Sequence, residues 1–498
     1  MLLSKNNLPE IEETGLQVPA ASIFNLPEKV LQFGTGVLLR GLPDYYIDKA
    51  NRKSIFNGRV AVVKSTGNGL TDGFDEQDNL YTIYSSGWEN NREHHETVIC
   101  SAISRVLPAA THWTEILDIA RSHSLQLIIS NTTEIGIELV EESIFDRTPD
   151  SFPGKLLAVL YERFKAFNGS EESGLVIIPT ELIPDNGKKL KAIIIELARI
   201  NKLEAEFTYW LNKHNTFCNS LVDRIVPGKP DKTTAAKLEA ERGYTDNLHI
   251  MCEWYSLWAI EGDEKLAAKL SFHEADKGVI IVPDIELFRE LKLRLLNATH
   301  SLCCAVALLS GFETVKQAMD DADFEAFINN IVYNEILPSI PYAIEHKVAA
   351  DFAAKVLDRF RNPGIKHQWL AISVQYSTKL KTRVIPLLLN HYKNQKTAPV
   401  GIALSFACFL RFMKVIKQAD GSFSGQIDNL QYTVTDSNAA YFTELWQMEN
   451  IEELVKKVLG NTILWDANLC ELPGFTEVVT TQLLRLMHPD FNGKPITD

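Results

Sequence analysis

The sequence predicts an α/β domain followed by an almost entirely helical domain. In the first half, short runs rich in Val, Ile and Leu alternate with helical segments, which is typical of a parallel sheet covered by helices. From about Asp284 onward, apolar residues recur at helical spacing, and Gly and Pro lie mainly between the segments. Because 498 residues exceed what one core usually holds, we expect two domains, at residues 1–283 and 284–498.

The elements of the first half can be assigned from residue type and turn position. Runs of β-branched residues that end in turn residues indicate strands, and longer runs with one apolar face indicate helices. The predicted strands are "KVLQFG", "GRVAVVKSTG", "DNLYTIYSSG", "LQLIISNTTEIG" and "GLVIIPTELI". The predicted helices are "VLLRGLPDYYIDKAN", "THWTEILDIARSH" and "GKKLKAIIIELARI". Since parallel strands need crossover connections, this order favours a sheet built of βαβ units.

The second half contains five segments with the length and apolar spacing of helices. They are "IELFRELKLRLLNATHSLCCAVALLSG", "DADFEAFINNIVYNEILPSI", "HKVAADFAAKVLDRFRN", "IALSFACFLRFMKVIKQA" and "NIEELVKKVLG". We therefore expect this half to be almost all helical.

Charge and composition exclude several classes of protein. A formal charge of -14 argues against nucleic acid or an anionic membrane as a partner, because neither attracts an acidic protein. An acidic small molecule stays possible, since a basic pocket can lie in an acidic protein. The seven cysteines form no CxxC pair, the N-terminus lacks a signal-peptide pattern, and the apolar runs are too short to span a bilayer. We expect a cytoplasmic protein with reduced thiols, and the sequence leaves its oligomeric state open.

A glycine turn joins the first predicted strand to the first predicted helix. In "VLQFGTGVLLRG", Gly34 permits a tight turn, Gly36 lets backbone approach a pyrophosphate, and the next helix offers free N–H groups. Leu39 stands where a third glycine is usual, so a plain strand–helix turn is the alternative. The turn favours a Rossmann-type, dinucleotide-binding domain. The expected cofactor contacts here are Phe33, Gly34, Thr35, Gly36, Val37 and Leu38.

The end of the second strand bears on which dinucleotide binds. An acidic residue there usually hydrogen-bonds the ribose of NAD, but this strand ends in Lys64 and Ser65. A positive charge at Lys64, also an expected cofactor contact, would suit a 2′-phosphate. The strand end by itself therefore leaves NAD and NADP open.

The helix "LKLRLLNATHS" is predicted to be mostly buried, yet it carries Lys292, Asn297 and His300. At ~100° per residue these side chains fall within an arc of roughly 140°, spread over ~12 Å of helix axis. Buried polar groups are costly unless they are paired. In a purely structural interpretation, Asn297 caps a loop, His300 is a satisfied core histidine and Lys292 reaches solvent.

Hydride transfer to a ketone offers a catalytic interpretation of the same three residues. The forming alkoxide takes a proton, and a partly desolvated lysine has a lowered pKa that suits a proton donor. Asn297 can donate an N–H to the developing oxyanion, and His300 can hydrogen-bond the oxygen and fix its orientation. Because all three occur in a chain with a dinucleotide turn, we favour this interpretation.

Other catalytic patterns are missing from the sequence. It has no HExxH, CxxC or clustered Cys/His set, so we expect no metal, and it has no GxSxG or GxxxxGK[ST] motif. His94 and His95 lie in a polar stretch and are expected to be solvated. Two basic stretches, "RFRNPGIKHQWL" and "STKLKTRVIP", are either solvated helix faces or in part a site for a substrate carboxylate. Their basic residues are Arg359, Arg361, Lys366, His367, Lys379, Lys381 and Arg383.

Several blocks of the sequence resemble a known family. "KLRLLNATH" resembles the K-x4-N-x2-H motif of the mannitol dehydrogenase family, long-chain polyol dehydrogenases that work without metal. Other blocks are more narrowly similar to the members of that family that reduce a hexuronate-derived keto-acid. These blocks are "LQFGTGVLLRG", "SNTTEIGI", "IIPTELIPDNG", "FCNSLVDRIVPG" and "RFRNPGIKHQWL".

The resemblance implies a Rossmann-type domain, a helical domain and NAD as the cofactor. It implies Lys292 as general acid/base and Asn297 and His300 as groups that polarise and orient the reacting oxygen. Glu290 is implied as a carrier of protons to or from Lys292. Further implied cofactor contacts are Asn131, Thr133 and Glu134. Implied substrate contacts are Glu181, Asp223, Arg361, Lys366, His367 and Lys381.

Two positions depart from the family pattern. Leu182 stands where mannitol dehydrogenases have an asparagine that helps to form an oxyanion hole, so the second oxyanion donor is not predicted. "NATH" replaces the more usual "NGAH" or "NGSH", which a helix tolerates because alanine is the better helix former.

The reaction implied by the resemblance is the reversible reduction of D-tagaturonate to D-altronate with NADH, a step of hexuronate breakdown. Fructuronate reduction and mannitol 2-dehydrogenation are the alternatives within the family. A different class, a non-catalytic NAD-binding regulatory protein, is disfavoured because Lys292, Asn297 and His300 are all present.

Overall fold

The structure, a computed structural model, describes residues 1–12, 14–65, 70–89, 92–132, 136–364, 366–427, 430–489, 491 and 493–496. Contacts divide the chain into two units. The first unit comprises Met1–Gly87 and Glu93–Ile285, and the second comprises Trp88–Arg92 and Glu286–Asp498. None of the described helices combines the length and the apolar character that crossing a membrane requires.

Strands and helices alternate along residues 1–285, in agreement with the sequence pattern. The strands are β1 (Glu28–Phe33), β2 (Arg59–Lys64), β3 (Tyr81–Glu89), β4 (Arg92–Cys100), β5 (Ile103–Pro108), β6 (Leu127–Ser130), β7 (Val176–Pro179), β8 (Thr216–Phe217), β9 (Ser220–Asp223), β10 (Ile250–Glu253), β11 (Leu257–Glu261) and β12 (Val279–Val282). The helices are α1 (Val37–Gly41), α2 (Pro43–Arg52), α3 (Trp113–Ala120), α4 (Phe152–Ala166), α5 (Asn186–Ile200), α6 (Ala205–His214), α7 (Lys232–Arg242) and α8 (Glu264–Leu270).

Six of these strands form one sheet in which each neighbouring pair is parallel. The order across the sheet is β5-β2-β1-β6-β7-β8. Counted in chain order, this is 3-2-1-4-5-6, the Rossmann order, whose ligand crevice lies at the carboxyl ends of the strands where the order reverses. Those strands are β1 and β6, which end with Phe33 opposite Ser130. The predicted Rossmann-type domain is confirmed.

The sheet is buried on both faces because successive residues point to opposite sides. In β1, Val30 belongs to one apolar cluster, whereas Leu31 and Phe33 belong to the other. β2 and β6 alternate in the same way. A strand that is covered on both sides is apolar at nearly every position, which is why these strands could be predicted from short continuous runs.

Several elements of this unit were not predicted, among them the sheet strand β5 and the helix α4. β5 is an edge strand, and its Ser104 and Arg105 bind the Glu28 carboxylate at 2.7 and 2.9 Å, so the strand is not continuously apolar. α4 begins with Pro153 and Gly154 in its first turn, which resemble a loop in sequence. Proline is well tolerated there because the first N–H groups of a helix have no intrahelical acceptor.

Residues 286–498 are mostly helical, as predicted, and end in short strands and helices. The helices are α9 (Glu286–Leu291), α10 (Ala298–Leu309), α11 (Val315–Met319), α12 (Ala322–Asn330), α13 (His346–Phe360), α14 (Trp369–Ile372), α15 (Tyr376–Arg383), α16 (Ile385–Asn394), α17 (Val400–Phe412), α18 (Ala439–Leu445), α19 (Ile451–Leu459), α20 (Thr462–Trp465) and α21 (Phe475–Met487). The strands are β13 (Val415–Lys417), β14 (Phe423–Ile427) and β15 (Leu430–Val434). Two π-helical segments, Lys292–Asn297 and Ile331–Ile336, interrupt the α-helical pattern.

The prediction of a single helix for "IALSFACFLRFMKVIKQA" is too long at its carboxyl end. It ends at Phe412, and the chain continues as β13, which pairs antiparallel with β14. The β-branched residues Val415 and Ile416 favour this change from helix to strand.

The second π-helical segment carries a buried carboxylate that caps a neighbouring helix. Glu335 accepts hydrogen bonds from the N–H groups of Gly401 at 2.7 Å and Ile402 at 2.8 Å, in the first turn of α17. These N–H groups have no intrahelical acceptor, and a negative charge at a helix N-terminus is favourable. Burial raises the pKa of Glu335, and the two backbone donors oppose that rise.

A second buried carboxyl group lies beside the glycine turn. Asp44, in the first turn of α2, is completely buried, and its Oδ2 accepts a hydrogen bond from Gln32 Nε2 at 3.2 Å. The same Gln32 nitrogen donates to the carbonyl of Gly34 at 3.2 Å. Burial raises the pKa of Asp44 to about 7, against the opposing effects of Gln32 and Arg40.

We predict that Asp44→Asn stabilises the protein more at pH 8 than at pH 4.5. Between pH 3.8 and about 7 the folded chain keeps a proton on Asp44 that the unfolded chain has lost. The contribution of Asp44 to the free energy of unfolding therefore falls as pH rises through this window. The asparagine side chain has no proton to lose, so this pH-dependent decrease in the free energy of unfolding is absent from the variant. Denaturant unfolding of both proteins at the two pH values measures the difference in their free energies of unfolding. An equal difference at both pH values would contradict the raised pKa of Asp44.

Candidate active site

The glycine turn is shaped by a backbone conformation that only glycine adopts freely. Gly34 follows β1 with φ +122°, and its N–H donates to the Val63 carbonyl at 3.0 Å. A Cβ at Gly34 would lie 3.0 Å from Leu39 Cδ1 and 3.2 Å from the Asn131 carbonyl oxygen. Leu39, which replaces the usual third glycine, thus packs closely against the first one.

The rest of the turn leaves room for a ligand to approach the backbone. Gly36, just before α1, is exposed, and no atom lies within 4 Å of the position that a Cβ would take. Thr35, Val37 and Leu38 are half-buried. The Phe33 ring is fully buried, so only its backbone is available. An open glycine at the carboxyl end of β1, beside the strand-order reversal, fits a dinucleotide pyrophosphate.

Lys64 at the end of β2 is not an isolated positive charge. Its Nζ lies 2.6 Å from Asp72 Oδ1 and also donates to the Leu70 carbonyl at 2.9 Å. Because a neighbouring carboxylate offsets the lysine charge, this strand end favours a 2′-phosphate less than the sequence alone suggests.

The carboxyl ends of β6 and β7 are tied together by polar side chains. Asn131 Nδ2 donates to the Thr180 carbonyl at 2.9 Å. The Glu181 carboxylate accepts from the Thr132 N–H at 2.9 Å and from Ser130 Oγ at 3.2 Å. Both side chains therefore hold the ends of adjacent strands. Two further expected cofactor contacts, Thr133 and Glu134, lie outside the described residues.

Neighbouring positions in this part of the chain differ sharply in exposure. Glu181 is buried, whereas Leu182, where an oxyanion donor was not found in sequence, is 59% exposed. Asp223 is buried at the end of β9.

His94, expected to be solvated, is half-buried and stacks on Trp254 with ring centroids 4.8 Å apart.

The candidate catalytic helix is π-helical between Lys292 and Asn297. The Ala298 N–H donates to the carbonyl of Leu293, five residues earlier, instead of four. In a π-helix, residues i and i+5 lie about one turn apart, so Lys292 and Asn297 lie closer in angle than the α-helical arc of roughly 140°. Both side chains are half-buried. Single π-helical turns occur frequently at functional sites.

His300 lies in the first turn of α10, which continues the helix, and is buried among rings and cations. Its ring stacks on Phe360 at 4.3 Å between centroids and meets His367 edge-on at 4.9 Å. Its Nε2 atom is buried and has no hydrogen-bond partner among the described residues. Burial lowers the pKa of His300 well below its usual value, and the charges of His367, Arg359, Arg383 and Lys379 lower it further.

The charged groups around His300 also influence each other and His367. Burial and then Arg359 and Lys379 lower the pKa of His367, and burial and then Arg383 lower that of Lys379. Burial lowers the pKa of Arg383 to about 10, so it stays charged at neutral pH. We call Arg359, Lys379 and Arg383 the cationic cluster; His367, whose pKa is lowered, is a second neutral ring beside them. The cationic cluster surrounds a neutral imidazole with positive charge in a protein whose formal charge is -14.

Of the other expected basic contacts, two have partners elsewhere and one is exposed. Arg361 Nη2 lies 2.5 Å from Glu325 Oε1 and Arg361 Nη1 lies 3.4 Å from Asp358. Lys381 Nζ lies 2.8 Å from Asp466, and Lys366 is exposed. The structure therefore brings His367 to His300, together with three cations that the sequence analysis noted but did not select as substrate contacts.

Glu290 forms a buried ion pair with Arg294, one turn later on the same helix. Arg294 Nε donates to Glu290 Oε2 at 2.9 Å, and both residues are less than one-tenth exposed. Arg294 was not singled out from sequence, although its i,i+4 spacing from Glu290 is the usual spacing of a helical ion pair. Within the described part of the chain, His, Cys, Asp and Glu side chains form no group of three or more that could hold a metal ion.

Comparison with known proteins places these features in a family. Residues 28–274 match the model of the mannitol dehydrogenase Rossmann domain, and residues 284–487 match that of the mannitol dehydrogenase C-terminal domain. The altronate oxidoreductase of Bacillus subtilis is 38% identical over 92% of this chain and 92% of its own length. That of Pectobacterium carotovorum is 36% identical over 92% of this chain and 94% of its own.

Two solved structures share the fold at lower identity. Mannitol 2-dehydrogenase of Pseudomonas fluorescens, in a ternary complex with NAD and D-mannitol, has a TM-score of 0.70 and 20% identity over 98% of this chain and 97% of that one. Substrate-free D-sorbitol dehydrogenase has a TM-score of 0.80 and 19% identity over 100% and 99%. The oxidoreductase class expected from the sequence is confirmed by the family models and the close relatives. From its first strand to α21, this chain belongs to the mannitol dehydrogenase family.

Proposed function

We propose that this protein catalyses the reversible, NAD(H)-dependent reduction of D-tagaturonate to D-altronate. The relatives named altronate oxidoreductase, which match nearly the whole chain, support this substrate pair. The ternary complex of the Pseudomonas enzyme and the geometry of the glycine turn support NAD as cofactor.

The observation that carries the proposal is the cationic cluster around His300. A polyol such as mannitol is neutral, so a site for it needs hydrogen-bond donors and acceptors but no concentration of positive charge. A uronate carries a carboxylate, which arginine and lysine bind with charge-assisted hydrogen bonds. Burial, and then the charge of Arg383, lowers the pKa of Lys379, so the charged form of this partly buried lysine becomes more favourable when an anion binds beside it.

The residues of the π-helical segment supply the proton chemistry in this proposal. NADH, when bound, supplies the hydride that reduces the ketone carbon. Lys292 donates a proton to the oxygen of that carbon, and it takes the proton back when the alcohol is oxidised. The Asn297 amide donates an N–H to the same oxygen while its negative charge develops.

His300 orients the substrate and takes no proton in this proposal. Its lowered pKa keeps the imidazole neutral, and a neutral imidazole offers one N–H donor and one acceptor nitrogen. The buried Nε2, which has no partner among the described residues, is the atom available to a substrate oxygen. Lys292 is then the proton donor. Burial, assisted by the cationic cluster, keeps His300 neutral, so His300 does not compete with Lys292 as an acid.

Turnover with three ketones tests the substrate. We expect NADH oxidation to be fastest with tagaturonate, slower with fructuronate and slowest with fructose, which lacks a carboxylate. Initial rates at equal concentrations give the order, and NADPH in place of NADH tests the cofactor. Fructose at or above the rate of tagaturonate would exclude a uronate substrate. A higher rate with fructuronate than with tagaturonate would exclude tagaturonate as the preferred substrate.

Lys379→Met tests whether the cationic cluster binds the carboxylate. We expect the KM for tagaturonate to rise roughly tenfold, the scale of one charge-assisted hydrogen bond, and the KM for fructose to stay near that of the unaltered protein. Lys381→Met is the matched control, because Lys381 lies two residues further along α15 and pairs with Asp466. Equal effects of the two substitutions on tagaturonate would contradict the carboxylate site.

Lys292→Ala separates an enzyme from a non-catalytic NAD-binding protein. We expect turnover to fall by ~10²-fold or more, because a general acid–base group is lost, while NADH still binds. Fluorescence titration with NADH and steady-state kinetics measure the two effects. Unchanged turnover would remove Lys292 from its role.

A further inference from the structure

The π-helical segment is fastened to the end of α15 by two arginines. Arg294 Nη1 donates to the carbonyls of Thr382 at 2.8 Å and Arg383 at 2.9 Å. In the opposite direction, Arg383 Nη1 donates to the Asn297 carbonyl at 3.2 Å and to Ser301 Oγ at 3.1 Å. Each helix thus contributes a guanidinium that binds the other's backbone.

Further side chains hold carbonyls in and beside the segment. Thr299 Oγ1 donates to the Leu295 carbonyl at 2.6 Å, and Ser301 Oγ donates to the Asn297 carbonyl at 3.0 Å. One turn later, Tyr376 Oη donates to the Ser301 carbonyl at 2.7 Å and accepts from the Ala305 N–H at 3.0 Å. α15 therefore contacts the catalytic helix from the π-helical segment onward, through Tyr376 at its start and Arg383 at its end.

A π-helical turn needs such outside contacts because the α-helix is the preferred alternative for the same residues. π-helical turns are rare, and unfavourable backbone arrangements persist only where the surroundings fix them. The sequence "KLRLLN" contains no proline or glycine that would prevent an α-helix. The candidates for such contacts are the hydrogen bonds that join the segment to α15, above all those that Arg294 donates to Thr382 and Arg383.

We propose that Arg294 is a positioning residue, which holds residues 292–297 in the π-helical register and so keeps Lys292 and Asn297 on one face of the helix. Glu290 orients the Arg294 guanidinium through its two carboxylate oxygens, at 2.9 and 3.3 Å. In this role Glu290 is a structural partner and does not carry protons. The inference rests on the proposed function to the extent that Lys292 and Asn297 act on one substrate oxygen.

Arg294→Met tests the positioning role in kinetics. If the helix returns to the α register, Lys292 and Asn297 separate in angle, and misplacement on the scale of 1 Å can cost up to ~10²-fold in rate. We expect kcat to fall between about tenfold and 10²-fold, with the KM for the keto-acid and the affinity for NADH little changed. Arg294→Lys keeps the charge but not the fork of donors, so it should rescue kcat only in part.

The chain offers a closely matched control in Arg52. Arg52 also follows a buried acid by four residues, pairing with Asp48 at 2.6 Å, and also donates to two carbonyls of other segments, those of Val18 and Ile99. Arg52→Met should therefore lower the melting temperature to a similar extent while leaving kcat unchanged. An equal fall in kcat for Arg294→Met and Arg52→Met would overturn the proposal.

Glu290→Gln distinguishes positioning from proton transfer. The amide keeps an oxygen that accepts from Arg294 but cannot relay a proton, so we expect a smaller loss of kcat than in Arg294→Met. A carrier of protons would instead lose ~10²-fold or more on this substitution. A loss from Glu290→Gln as large as that from Arg294→Met would overturn the assigned role of Glu290.

A crystal structure of Arg294→Met tests the register without any activity. We expect the Ala298 N–H to donate to the carbonyl of residue 294, as in an α-helix, in place of the carbonyl of Leu293. If the bond to Leu293 persists, Arg294 does not select the register and the proposal is wrong. Absence of turnover by the unaltered protein with every ketone would refute the proposed function instead, and the crystallographic result would still decide the register.

Discussion

The backbone hydrogen bond from Ala298 to Leu293 determines how the candidate catalytic side chains Lys292 and Asn297 are arranged on their helix. It spans five residues where an α-helix spans four, and so it changes the direction of every side chain between Lys292 and Asn297 relative to those after it. A lysine and an asparagine five positions apart would diverge on an α-helix. In the π-helical register they return to nearly the same angle, with His300 three residues further along the helix.

The electrostatic environment of this helix separates the roles of its polar groups. Burial and the cationic cluster lower the pKa of His300, which leaves a neutral ring for orientation. The same positive charge disfavours the protonated form of any imidazole nearby and would favour a carboxylate on the substrate. In the proposed function, this one field therefore serves both substrate specificity and the choice of Lys292 over His300 as the proton donor. The formal charge of -14 for the whole chain does not reveal this, because it averages over a local concentration of opposite sign.

Much of the first unit could be predicted from sequence because its signals are local. The central strands β1, β2 and β6 alternate between two buried faces, and the Gly34 turn depends on a backbone conformation that its own residue type permits. The π-helical register could not be predicted, since "KLRLLN" has apolar spacing that fits both kinds of helix. The contact that favours one of them comes from carbonyls at Thr382 and Arg383, nearly 90 positions away in sequence.

For the two basic stretches, the sequence of a single helix does not reveal which basic side chains lie near His300. Arg361 and Lys381 were predicted from sequence as substrate contacts, whereas Arg359 and Lys379 are the side chains whose charges act on His300. Two residues along a helix correspond to a rotation of ~200°, so each selection chose nearly the opposite face. Which face meets His300 is decided by how α13 and α15 pack in the second unit, and the basic residues themselves do not determine that.

The two π-helical segments share a feature that explains their persistence. Each presents a buried charged side chain to the backbone of another helix: Arg294 to the carbonyls that end α15, and Glu335 to the N–H groups that begin α17. Helix ends carry backbone groups without intrahelical partners and a partial charge, negative at the carboxyl end and positive at the amino end. The arginine at the carboxyl end and the glutamate at the amino end each carry the charge opposite to the partial charge of that helix end. The extra residue of a π-helical turn re-aims a side chain towards such an end, and the resulting ionic contact offsets the loss of the better α-helical geometry.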